Sequence, residues 1–191
     1  LTAAGVPFVL VAGSLLGAVR SRSLLFCDDD IDIAVLGPEN LSRARAALAG
    51  GALGRVARVA ERPWPACARL RPRRSSGVWV DVFCLRRYAT RAELARAVAT
   101  KANGAPQPDE YVDRVLAAAA DGAFPLWHYD APKALELWPA EFYREAELLP
   151  PRADYTFGPL SGLPGARHPV GHLLRAYGAD AFDVYVVASA S

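Results

Sequence analysis

The chain has 191 residues, 52% of them apolar, and a formal net charge of +2. That length suits one domain, or one domain with a small appendage, and that composition excludes a disordered tail or a coiled coil. The charge is too mild to point to nucleic acid. No signal peptide is visible, and no apolar run is long enough to span a bilayer. The chain starts at Leu1 and lacks Met, so it reads as a segment of something longer. Membrane association is then expected only through segments outside it. Cys27, Cys67 and Cys84 form no Cys-x-x-Cys pair, which argues against a disulfide framework or a four-ligand zinc site.

In chain order, Pro7 to Ala12 is an apolar run of strand length, broken at Gly13-Ser14. Leu15 to Arg20 suits a short helix with Ser14 as its N-cap. Ile31 to Leu36 reads as a strand. Pro38 sits where a first helical position is expected, with Glu39 near the positive end of the dipole, and that helix stops at Gly50-Gly51. Arg55 to Ala60 and Ala66 to Arg71 alternate weakly as strands do, and Arg73 to Gly77 looks like a turn. Val78 to Phe83 is the clearest strand, with Trp79, Asp81 and Phe83 on one face. An Asp among residues this apolar needs a partner. Thr90 and Glu93 form a capping-box signature for a helix to Lys101, and Asp109 to Ala120 reads as another. Asp121 to Pro169 is rich in Pro, Gly and aromatics, which predicts an irregular, packed cap. Val170 to Tyr177 is a final helix, stopped at Gly178. Strands interspersed with helices indicate an α+β (α/β) domain, with a core over 1–120 and a C-terminal cap over 121–191.

The chemistry lies in Asp30-Ile31-Asp32-Ile33. On a strand, residues i and i+2 point the same way, about 6.5–7 Å apart. Two carboxylates so placed, with isoleucines behind them, can hold divalent cations, which favour oxygen ligands. Val80-Asp81-Val82 repeats the apolar–carboxylate–apolar pattern, and a neighbouring strand would bring a third carboxylate. Two metals about 3.5–4 Å apart would then clamp the attacking and leaving oxygens of a phosphoryl transfer. Gly13 and Ser14, between a strand and a helix start, suit phosphate. Gly17 permits close approach, and Arg20 reaches either a phosphate or one of the aspartates. Each feature alone has an ordinary reading: a solvated strand pair, an N-cap, a salt-bridged Asp. The ordered set is far more specific.

Gly13-Ser14-Leu15-Leu16-Gly17-Ala18-Val19-Arg20, followed by Asp28-Asp29-Asp30-Ile31-Asp32, resembles the LicD and fukutin-related family. Its usual run is Gly-Thr/Ser-Leu-Leu-Gly-x-x-Arg and then Asp-x-Asp-x-Asp. Val80-Asp81-Val82-Phe83 resembles its later strand, and Pro169 to Tyr177-Gly178 its C-terminal element. The resemblance implies a nucleotidyltransferase-like mixed sheet flanked by helices. It implies a transferase moving a phosphoryl-alcohol group, such as phosphocholine or ribitol phosphate, from a CDP-linked donor to a carbohydrate acceptor. Residue by residue, Asp30, Asp32 and Asp81 match the catalytic and metal positions, for Mg2+ or Mn2+. Gly13 and Ser14 match the phosphate-binding turn, and Asp28 the leading Asp. Asp81 is also a candidate acceptor for the proton of the attacking hydroxyl. Cys27 stands where the family usually has Trp, and the cysteines of a zinc loop are absent.

Two rival readings are a nucleotidyltransferase adding NMP to a small acceptor and a non-catalytic glycan- or protein-binding domain. The compartment stays open: cytoplasm for a bacterial chain, Golgi lumen for a eukaryotic one. His128, His168 and His172 read as capping or surface residues. Trp127, Tyr129, Trp138, Phe142 and Tyr143 read mostly as core. Arg71, Arg73 and Arg74 read as a solvated turn, with donor phosphates as the other possibility.

Overall fold

The computed structural model describes residues 1–26, 28–50, 57–60, 68–73, 77–101, 103–119 and 123–183. Cys27, Cys67 and Arg74 lie outside them, as do the first two residues of each strand expected at 55–60 and 66–71. The fold is a mixed sheet flanked by helices, consistent with the nucleotidyltransferase-like arrangement expected. Its strands are β1 (Phe8–Leu10), β2 (Asp30–Leu36), β3 (Ala57–Ala60), β4 (Ala68–Pro72), β5 (Trp79–Tyr88), β6 (Leu126–Tyr129) and β7 (Tyr143–Arg144). The order along the main path is β1-β2-β5-β4-β3. Among the described residues only β2 and β5 run parallel; the other pairings are antiparallel. β4 covers Val80–Val82 of β5, and β6 takes over from Leu85. A separate hairpin, β8 (Arg152–Phe157) with β9 (Leu160–Gly165), packs on β1 and on α1 (Ala12–Arg20).

The central strands form because their residues are apolar on both faces. Ala34 and Val35 of β2 and Val82 to Leu85 of β5 are all buried, as a parallel pair covered on both sides requires. The other helices are α2 (Leu41–Ala49), α3 (Arg91–Val98), α4 (Asp109–Ala118), α5 (Pro132–Leu137), α6 (Glu145–Leu148) and α7 (Pro169–Tyr177). Thr90 caps α3 as expected: its hydroxyl accepts from the Glu93 N–H at 3.2 Å, and the Glu93 carboxylate accepts from the Ala89 N–H at 2.6 Å. Pro38 opens a 3-10 turn, Pro38–Asn40, that leads into α2. β5 runs on to Tyr88, beyond the expected end at Phe83. Over 123–183 short elements alternate with connections, and two of them, β6 and β7, belong to the main sheet. Phe83 of β5 packs with Tyr129 and Trp138, ring centroids 5.2–6.2 Å apart. Among the described residues no helix is long and apolar enough to cross a membrane.

Two expectations are corrected. Helix α1 begins at Ala12, not after Ser14, and Val11 is its N-cap residue. Val11 is still committed to the sheet: it is fully buried and its N–H donates to the Asp32 carbonyl at 3.1 Å. The chain must therefore turn sharply, and Ala12 does so at φ 49°, a left-handed conformation costly for a residue with a Cβ. The histidines are not all at the surface. His128 and His172 are fully buried, and burial lowers their pKa values to about 3 and about 4. His172 Nδ1 meets the Phe142 carbonyl at 2.9 Å, and its ring stacks on Tyr143 at 3.7 Å. Only His168, at the start of α7, is exposed.

Candidate active site

The parallel register pairs Asp32 with Asp81 and Asp30 with Trp79. Directly paired residues of parallel strands share a face, as do residues two apart on one strand. Asp30, Asp32 and Asp81 therefore converge, and one carboxylate oxygen from each lies within 4.8 Å of the others. The neighbour relation that the sequence left conditional is the one the sheet adopts.

Asp32 sits just past the end of β1, whose pairing with β2 stops at Leu10–Ile33. At that point the first turn of α1 takes the place of a strand. Ser14, 1% exposed, accepts the Asp32 N–H at 2.8 Å, while the Asp32 carbonyl accepts from Val11. Both backbone groups of Asp32 are thus tied to the strand-to-helix turn. Gly13 lies under Asp28: a Cβ there would stand 2.6 Å from Asp28 Oδ2. Gly17 lies under the loop that leads to the aspartates. Its carbonyl accepts the Ser21 and Ser23 N–H groups at 3.0 and 3.3 Å, and a Cβ would stand 2.3 Å from the Ser23 carbonyl oxygen. Arg20, at the end of α1, donates to the Ala181 carbonyl at 3.3 Å and its charge reaches Asp28.

The site carries more negative charge than it can hold ionised. Burial, and then the charges of Asp30 and Asp81, push the Asp32 carboxyl up to about 8. Burial and Asp81 also raise Asp30, with Asp29 and Asp28 adding to the effect and Arg69 opposing it. Burial and Asp29 raise Asp28, against Arg20. Three convergent hard oxygen donors under mutual repulsion suit a divalent cation of the magnesium type.

Two residues that the sequence reading did not single out, Arg69 and Glu141, belong to this region, with Tyr177, which it named only within the C-terminal element. Arg69 is the partner that Asp81 needed. β4 places it directly opposite Asp81, and its guanidinium grips both carboxylate oxygens, Nε on Oδ1 and Nη2 on Oδ2. The two residues are 8% and 5% exposed. A signal was present: Ala68-Arg69-Leu70 mirrors Val80-Asp81-Val82, one charge between apolar neighbours. Glu141 gave no such signal. Glu141 is buried in the cap, accepts the Tyr129 hydroxyl at 2.9 Å and is pushed up to about 7 by burial. Its charge is felt at Asp32 and at Tyr177.

A cavity of about 670 Å³ lies away from the carboxylates, past the C-terminal ends of β2 and β5, and includes Gly37, Arg86, Arg87, Arg96 and Trp127. Arg86 pairs there with Asp130 at 3.1 Å and Arg87 with Glu145 at 2.5 Å, so two of its three arginines are engaged.

No curated protein matches the chain. Residues 5–65 match the family model described as LicD/FKTN/FKRP, nucleotidyltransferase domain. The matched stretch carries Gly13, Ser14, Gly17, Arg20, Asp28, Asp30 and Asp32, and over it the chain is similar to the LicD family; Asp81 lies outside it.

Proposed function

We propose that this domain is a metal-dependent transferase that moves a phosphoryl-alcohol group, of phosphocholine or ribitol phosphate type, from a CDP-linked donor to a glycan. Similarity to the LicD family suggests phosphoryl-alcohol transfer in general. The observation that carries the finer reading is the convergence of Asp30, Asp32 and Asp81 within 4.8 Å. These three residues would hold the cation. A bound Mg2+ or Mn2+ supplies charge neutralisation at the phosphate oxygens, the main requirement of phosphoryl transfer.

The chain's own residues supply the positioning. Ser14 and Val11 fix Asp32 through its backbone. Gly13, Arg20 and Asp28 remain the proposed phosphate-side group, supported by their place on α1 and its loop beside the carboxylates. Ser14 and Gly17 are buried and serve the site from beneath: Ser14 holds Asp32, and Gly17 gives the Ser23 carbonyl room to approach. Asp81 as proton acceptor for the sugar hydroxyl would use a lone pair that Arg69 leaves on its oxygens.

The test is turnover of CDP-choline, CDP-ribitol and CDP-glycerol by the purified chain with Mn2+, followed by 31P NMR. Free CMP is the expected product, and Asp32→Asn should lower its rate by about a hundredfold or more. Release of pyrophosphate from CTP, with no turnover of any CDP-alcohol, would replace this reading with NMP transfer.

A further inference from the structure

We propose that Arg69 has two positions: it holds Asp81 while the carboxylates carry no cation, and with Arg71 and Trp79 it forms a binding site for the diphosphate of a nucleotide once Asp81 is engaged by the metal. The inference rests on the reading of Asp30, Asp32 and Asp81 as a metal site.

β4 and β5 are antiparallel with Arg69 opposite Asp81, so Arg71, two residues on, falls on the same face next to Trp79. The geometry agrees. The Arg69 guanidinium carbon stands 4.6 Å over the Trp79 ring centroid and that of Arg71 5.5 Å over the same ring. Trp79 itself is the register partner of Asp30. One indole thus carries two guanidinium groups at the rim of the carboxylate cluster. Arg71 is exposed and has no ion-pair partner among the described residues.

Competition at Asp81 follows from charge. Both Asp81 oxygens accept from Arg69, and each keeps a lone pair for a cation, but a divalent ion bound there stands beside the guanidinium and repels it. A guanidinium so displaced stays buried beside a tryptophan face, where an unpaired charge is costly. Its planar fork matches phosphate as well as it matches carboxylate. Arg71 lies on the same ring, so the displaced Arg69 and Arg71 can bracket two linked phosphates. The arrangement also orders binding: metal first, nucleotide diphosphate second. Until then Arg69 offsets part of the repulsion that raises Asp30.

Three variants test this by calorimetry: Arg69→Met, Arg69→Lys and Arg71→Gln. The first titration uses Mn2+ alone, and the second uses CDP and CMP at saturating Mn2+. In Arg69→Met the competitor is gone, so Mn2+ should bind about tenfold tighter or better, while CDP binds about tenfold weaker and CMP changes less. Arg69→Lys, which keeps the charge but frees one Asp81 oxygen, should show a smaller rise in Mn2+ affinity. Arg71→Gln should leave Mn2+ affinity unchanged and weaken CDP several-fold. A folded Arg69→Met whose Mn2+ affinity is unchanged or reduced overturns the proposal. Should that variant not fold, unchanged Mn2+ affinity in Arg69→Lys overturns it equally. Wild-type protein that binds no Mn2+ at all gives a different result: it removes the metal reading, and this inference with it.

Discussion

Replacing Asp32 by Asn should make the metal-free protein more stable while removing its function. Unfolded, this carboxyl ionises near 3.8; folded, burial and the charges of Asp30 and Asp81 raise it to about 8. Between those values the native state holds a proton that the unfolded chain has lost, so stability falls as pH rises through the window. Asparagine has no such penalty. Each pH unit is worth about 1.4 kcal/mol at most. With relaxation of the half-open site allowed for, a gain of about 2 kcal/mol at pH 8 is a conservative expectation, or about 4–8 °C in Tm for a chain of this size. The assay is thermal unfolding of both proteins in EDTA at pH 4.5 and pH 8. The two should be close at pH 4.5 and should separate at pH 8, with Asp32→Asn the more stable. Adding Mg2+ at pH 8 should raise the wild-type Tm and leave the variant unmoved, since only the native wild type has the complete site. Equal or lower stability of Asp32→Asn at pH 8 in EDTA would refute the claim that the aspartates repel one another in the empty site.

The histidines act with the opposite sign. Burial lowers His128 and His172 to about 3 and about 4, so the unfolded chain binds more protons below its ordinary histidine pKa. Stability should be lost as pH falls from about 6.5 towards 4. His172→Phe should flatten that slope in denaturant titrations at stepped pH. Ser14→Ala leaves the part-buried Asp32 N–H without its acceptor, and the expected destabilisation of about 1–2 kcal/mol is read by urea unfolding. Gly17→Ala sets a methyl 2.3 Å from the Ser23 carbonyl oxygen, a backbone atom, and should cost about 1–3 kcal/mol. Gly13→Ala meets only the Asp28 carboxylate at 2.6 Å, which can swing aside, so its unfolding midpoint should move much less. Comparing the two glycine variants separates a backbone constraint from a side-chain one.

The carboxylate site was legible in the sequence because each part of it is local. Asp30-x-Asp32 needs only strand periodicity, and Asp81 announced itself by its valine neighbours. Their meeting required one further fact, that β2 and β5 are adjacent and in register, and no local pattern encodes that. The start of α1 was misread because Ser14 is a good capping residue in isolation. In the folded protein its hydroxyl is taken by Asp32, a partner 18 positions away, and tertiary demand overrode the local preference. Arg69 was missed although the need for a partner to Asp81 was recognised, since the choice among several arginines depends on the β4–β5 register. The buried histidines were misplaced for a related reason. His128 stands on β6, which joins the main sheet alongside β5, and nothing near it in the chain marks it as interior.

The register of Asp32 against Asp81 also bears on how the molecule comes to be. These residues belong to strands separated by α2, β3 and β4, so the carboxylates meet only when a long stretch of chain has closed on itself. Loop closure of this kind comes late, because its entropy must be offset before the contacts form. A cation therefore has no assembled site to grip on the unfolded chain or on an early partly folded one. Its effect should fall on the unfolding rate, leaving the refolding rate nearly as it is without metal. On that view a bound metal would act as a latch on a finished sheet and not as a template for building it.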